Sequence, residues 1–111
     1  MPRRDQRPPA LLIGRWVTPH EGHVALIKRA IELYGSVVIA IRNTEEAPDM
    51  YTRRMLLGTL LRSHGVKDFD YYFIVIPDVS AVVYGRDVGY DLCEIRLDEA
   101  TESLRGRDIR V

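Results

Sequence analysis

The chain of 111 residues predicts an α/β fold built on a parallel sheet, and three observations carry that prediction. Apolar runs at Leu11-Leu12-Ile13, Val37-Val38-Ile39-Ala40-Ile41 and Tyr71 to Ile76 have strand length and are rich in β-branched or aromatic residues. Segments with helical apolar spacing lie between them. Glycine, proline and aspartate mark the joints. Strands alternating with helices require right-handed crossovers and a parallel sheet.

Met1 to Pro9 carry Arg3, Arg4 and Arg7 with three prolines and no apolar period, so residues 1–9 are expected to be a flexible basic leader. Residues 10–111 are expected to form one domain. The first strand ends at Gly14, and helical spacing starts at Val24 with Ile27, Ile31 and Tyr34 on one face, stopped by Gly35. The continuous run Val37–Ile41 suits a strand covered on both faces. A second helix is predicted from about Thr52 to Ser63, closed by His64-Gly65, and Tyr71 to Ile76 forms a third strand ended by Pro77-Asp78. Ala81–Tyr84 and Leu92–Ile95 resemble short strands. The gaps are too short for parallel crossovers, so at least one should be a loop or an antiparallel edge. Asp98 to Leu104 reads as a short helix or turn that Gly106 could cap.

Sixteen basic and sixteen acidic residues cancel, which argues against nucleic acid or an anionic membrane as the main partner. No apolar run approaches a signal sequence or a membrane span, and the single Cys93 cannot form an intramolecular disulfide, so a cytoplasmic location is expected. Cys93 reads as a small, part-buried thiol without a catalytic role.

The chemistry concentrates in Gly14-Arg15-Trp16-Val17-Thr18-Pro19-His20-Glu21-Gly22-His23, the turn between the first strand and the first helix. Two histidines three apart fall on neighbouring parts of one face at the helix entrance. Helix-start amides and the positive end of the helix dipole are directed the same way, a combination suited to polyphosphate. Two capping histidines in an ordinary strand-helix turn are the bland alternative.

This decapeptide resembles the signature of the cytidylyltransferase-like, or HxGH, nucleotidyltransferase superfamily. Its nicotinamide-nucleotide adenylyltransferase branch shows Gly-Arg-Phe, a Pro, then His-x-Gly-His, matched here by Gly14, Arg15, Trp16, Pro19, His20, Gly22 and His23, with Thr18 in the usual proline position. The resemblance implies attack by an acceptor oxygen on the α-phosphorus of a nucleoside triphosphate, with release of pyrophosphate and no covalent enzyme intermediate. It casts His20 and His23 as the catalytic residues, because charge develops on phosphoryl oxygens and calls for positioned donors. Gly14, Arg15, Trp16 and Gly22 become nucleotide contacts. Magnesium would bridge the phosphates, held mainly through ligand oxygens and water, so no protein metal ligand is assigned.

Arg42 ends the second strand on the carboxyl edge, where open α/β sheets bind ligands, and Ile41-Arg42-Asn43-Thr44-Glu45 resembles a stretch in a small phage-associated group of the superfamily. Tyr51-Thr52 is similar to a Phe-Thr pair that opens the second helix in relatives. Arg42, Thr52 and Tyr84 are therefore candidate acceptor or phosphate contacts, while Arg53 and Arg54 read as a solvated helical face. Tyr84-Gly85-Arg86-Asp87-Val88-Gly89-Tyr90 resembles a loop of the same small group, which adds Arg86 to the nucleotide contacts. Leu104 to Arg110 resembles the superfamily's second signature, Ile-Ser-x-Thr-x-Ile-Arg, with Arg105 and Arg107 in place of the hydroxyl residues. Arg107 and Arg110 are the phosphate contacts it implies. The helix that follows in relatives is shortened or missing here.

These readings converge on a compact Rossmann-like domain that transfers a nucleotidyl group from ATP, favoured over CTP, to a small phosphorylated acceptor. A homo-oligomer is expected, since a small core leaves apolar surface to cover. The alternative function is a regulatory or assembly module that keeps nucleotide binding without turnover.

Overall fold

The structure is a computed structural model and describes residues 7–87 and 89–95. Strand β1 (Ala10–Gly14) leads to helix α1 (Glu21–Tyr34), strand β2 (Val37–Asn43), helix α2 (Met50–Ser63), a single 3-10 turn at Asp68–Asp70 and strand β3 (Tyr71–Pro77). The three strands form a parallel sheet in the order β1-β2-β3. Gly14 pairs with Ile41 and Asn43 with Pro77, so the strand ends after which the β1–α1 and β2–α2 connections begin lie along one edge. Among the described residues this is a compact α/β unit of the Rossmann-like kind, as expected.

Side-chain alternation explains the packing. Val37, Ile39 and Ile41 share one face of the central strand and are fully buried, in one cluster with Val24, Ile27 and Ala30 of α1 and Leu57 and Leu61 of α2. Both helices therefore cover the same face. Leu11 and Ile74 belong to the opposite face and remain 59% and 43% exposed. The β-branched run of β2 suits burial on both sides, and Ala40 is indeed buried, yet the outer strands are wrapped on one side only.

Helix boundaries follow local chemistry. Tyr34 is the last residue of α1 because Gly35 takes φ 90 and returns its N–H to the Ile31 carbonyl at 2.7 Å. Helix α2 starts earlier than its apolar pattern indicates, since Asp49 caps it by accepting the Thr52 N–H at 2.8 Å. Its buried positions, Arg53, Leu57, Gly58 and Leu61, form one stripe.

Ala81–Tyr84 and Leu92–Ile95 are both irregular, within the expectation that at least one is a loop; Val82, Val83, Tyr84 and Leu92 stand in solvent, while Ile95 is partly buried against the core. One expectation needs correction. Cys93 is exposed rather than part-buried. The expected leader lies outside the described residues up to residue 6, and Arg7 donates to the Leu33 carbonyl at 2.8 Å. Among the described residues no helix is long and apolar enough to cross a membrane.

Candidate functional site

At the carboxyl end of β1 the chain turns sharply through Arg15 and Trp16. Trp16 has φ 52, in the left-handed region that a bulky side chain rarely adopts, and such strain of roughly 1–3 kcal/mol persists only where the surroundings over-determine it. The indole is buried, and its Nε1–H donates to the Ala40 carbonyl of β2 at 3.0 Å. The ring then meets His23 edge-on, with centroids 5.1 Å apart. Trp16 thus joins the turn to the central strand and to one of the two histidines.

His20 is the N-cap of α1 and His23 its third residue, so the two rings are one helical turn apart and stack at 4.0 Å with an interplanar angle of 19°. Their bonds are reciprocal. His20 Nδ1 accepts the Gly22 N–H at 3.0 Å, and His23 Nδ1 accepts the His20 N–H at 3.2 Å. This is a capping box built from imidazoles in place of hydroxyl and carboxylate. With Nδ1 occupied as an acceptor in both rings, each neutral imidazole carries its proton on Nε2. The pair is therefore two Nε2–H donors on parallel rings at the positive end of a 14-residue helix, which is anion-binding chemistry. Capping and ligand binding are not alternatives here, because the capping bonds fix the tautomer.

Around this turn the other expected contacts have definite partners. Gly14 and Gly22 are buried beside the turn. Arg15 bonds Glu46 at 2.9 Å, and Thr44 Oγ1 donates to the same carboxylate oxygen at 3.2 Å. Arg42 reaches across to β3 and bonds Asp78 through Nε at 3.1 Å and Nη2 at 2.8 Å, tying the ends of two strands together. The Thr52 N–H is taken by the Asp49 carboxylate. That bond, more than any other contact, holds the Asp49 carboxyl below its usual range, with the Thr52 side chain and the charge of Arg53 adding to it.

Sequence reasoning missed Arg53. Read as part of a solvated face, it is instead 0% exposed. Nε donates to the Pro48 carbonyl at 2.7 Å, Nη1 to the carbonyls of Arg15 and Arg42 at 3.1 Å each, and Nη2 to those of Thr44 and Glu46 at 3.2 and 2.6 Å. The correction has a simple cause: Arg53 lies four and eight residues before Leu57 and Leu61, on the buried stripe of α2. The spacing Arg53, Leu57, Leu61 was the available signal.

Tyr84 and Arg86 lie on a separate loop after β3. Both are exposed, on a loop whose open concavity of about 680 Å³ is lined by residues including Tyr84, Gly85, Asp87 and Tyr90, and none of Gly14 to His23 lines it. The stretch that follows reaches the end of α1, where the neighbouring Cys93 thiol, ahead of every other influence, raises the pKa of the Tyr34 hydroxyl. Arg107 and Arg110, with Arg105, lie outside the described residues.

Comparison with known proteins returns one functional name. Nicotinamide-nucleotide adenylyltransferases from Methanococcus aeolicus, Picrophilus torridus and Thermoplasma acidophilum are 29%, 30% and 27% identical over 74, 78 and 85 residues. These matches cover 64%, 65% and 71% of this chain and 43%, 45% and 45% of the relatives. The chain thus spans a little under half the length of the curated relatives it matches. No protein-family model and no solved structure matches it. With the strand-turn-helix at Gly14 to His23, a parallel α/β sheet and this set of relatives, the chain is similar to the nucleotidyltransferase superfamily.

Proposed function

We propose that the protein is a nucleotidyltransferase that passes an adenylyl group from ATP to a nucleotide-like acceptor carrying a phosphate. The observation that carries this reading is the stacked pair His20 and His23, anchored through Nδ1 and donating through Nε2 at the start of α1. The relatives' name points to nicotinamide mononucleotide as the first acceptor to try and to ATP ahead of CTP.

In the proposed step an acceptor phosphate oxygen attacks the α-phosphorus in line, a new P–O bond forms, and the bond to the α–β bridging oxygen breaks. Its electron pair leaves with pyrophosphate. The two Nε2–H groups stabilise negative charge on the phosphoryl oxygens, and the α1 dipole adds to them. Arg15 lies in the same turn: its bond to Glu46 is partly exposed and therefore weak, so a phosphate can compete with the carboxylate for it. Magnesium would arrive with the triphosphate and supply charge neutralisation from the ligand side.

The test is pyrophosphate release from ATP and from CTP with magnesium, screened over nicotinamide mononucleotide and other phosphorylated acceptors. Release that depends on both ATP and an acceptor supports the reading. ATP binding without turnover on any acceptor would replace it with the nucleotide-binding module, the reading favoured by Arg105 and Arg107 in the second signature. Absence of ATP binding would sink both.

A further inference from the structure

Arg53 is a cation in a fully buried place with no salt bridge to a carboxylate among the described residues, and burying a charge is costly unless every donor is met. A guanidinium has five N–H donors in a rigid fork. The carbonyls of Pro48, Arg15, Arg42, Thr44 and Glu46 supply one acceptor for each. They belong to two pieces of chain: the β1–α1 turn, and the continuous stretch Arg42–Pro48 that comprises the end of β2 and the connection into α2. These pieces meet at the carboxyl edge of the sheet, where the histidine pair lies.

We infer that Arg53 is a positioning residue for this site: its buried guanidinium holds the phosphate turn in register with the stretch Arg42–Pro48 and sets the direction of their peptide dipoles. This rests on the nucleotide-binding reading above, which it deepens. In a trans peptide the C=O and the following N–H are directed oppositely. With the carbonyls of Arg15, Arg42, Thr44 and Glu46 drawn onto Arg53, the amides of Trp16, Asn43, Glu45 and Ala47 face away from it. One cation thereby sets the direction of four N–H groups at the sheet edge without itself contacting the ligand. It also explains the left-handed Trp16, whose backbone is gripped on one side by the Arg15 carbonyl bond and whose indole is gripped by Ala40.

Lysine keeps the charge but has only three donors, so R53K separates charge from geometry. Trp16 is the chain's only tryptophan and reports on the turn directly. In R53K, with far-UV circular dichroism unchanged, Trp16 emission should shift to the red and ATP affinity should fall at least about tenfold, the scale on which small misplacements act. In R53G, millimolar guanidinium should restore both readouts while equal sodium chloride should not. Folded R53K with wild-type emission and wild-type ATP affinity would overturn the inference. So would equal rescue by sodium chloride.

A third measurement needs no variant. In the wild-type protein the Arg53 side-chain N–H protons should give slowly exchanging NMR signals, and exchange as fast as that of the exposed Arg54 would refute the inference even if both variants fail to fold. A wild-type protein that binds no ATP would remove the functional reading, while emission and proton exchange would still decide the role of Arg53.

Discussion

The turn Gly14 to His23 and the loop from Val79 to Leu92 both carry glycine, arginine and aromatic residues, and they are held in opposite ways. In the turn, Trp16 is buried against Ala40, His23 is packed beneath it, and the Arg15 carbonyl is bonded to Arg53. In the loop, every described residue is exposed, and Tyr84 is 57% exposed. The first has a geometry independent of any ligand. The second has its aromatic and apolar side chains in water, where only a further surface could fix them. Pre-organised donors follow from over-determined packing, and of these two segments only the turn has it.

The sharpest way to break the comparison is Trp16→Ala. Truncating a buried aromatic costs about 3–5 kcal/mol, a large share of a small domain's stability. Thermal unfolding should show a large fall in midpoint or loss of a cooperative transition. A midpoint close to wild type would mean that the turn is not held as described.

Next come the histidines. His20→Ala and His23→Ala should each lower pyrophosphate release by about 100- to 1,000-fold, the usual effect of removing one positioned donor. The loss should appear in kcat at saturating ATP. Turnover unchanged by both substitutions would remove the mechanism even if ATP still binds.

A smaller effect tests the start of α2, which orients Arg53. The folded-state pKa of Asp49 lies below its unfolded value, so its contribution to stability is complete above the ordinary carboxylate range and is lost as pH falls through the lowered folded pKa. Asp49→Asn keeps an oxygen for the Thr52 N–H and removes the charge. The melting difference between wild type and Asp49→Asn should therefore be a few degrees or less at neutral pH and vanish in strong acid. A difference that grows on acidification would contradict the assigned cause.

The smallest effect belongs to the loop. Arg86→Ala and Tyr84→Ala should change stability by no more than about 0.5 kcal/mol, as for other exposed positions. ATP titration of the same variants sharpens the contrast: unchanged affinity leaves nucleotide contact to the turn, and a large loss would bring the loop into the site.

Much of this arrangement was legible in the order of residues, because it depends on short-range rules. The three strands, the stop at Gly35, the parallel order and the placement of His20 and His23 at a helix entrance all follow from hydrophobic period and local turn chemistry. Ala81–Tyr84 illustrates the limit of that reasoning: an apolar run has strand composition whether or not an edge receives it, and here it stays irregular. Arg42 shows a second limit, since its partner Asp78 is 36 residues away.

Arg53 marks the boundary most clearly. Its neighbours in the chain are polar or charged, and nothing about them excludes a solvated arginine. Burial became favourable only when the β1–α1 turn and the stretch Arg42–Pro48 brought five carbonyls to one point, offsetting a desolvation cost that the spacing of Arg53, Leu57 and Leu61 does not record. Residue order alone specified the strands, the helices and the turn between β1 and α1 that carries His20 and His23. Holding that turn in place required the assembled sheet edge, because a buried charge is satisfied by groups that meet only after folding.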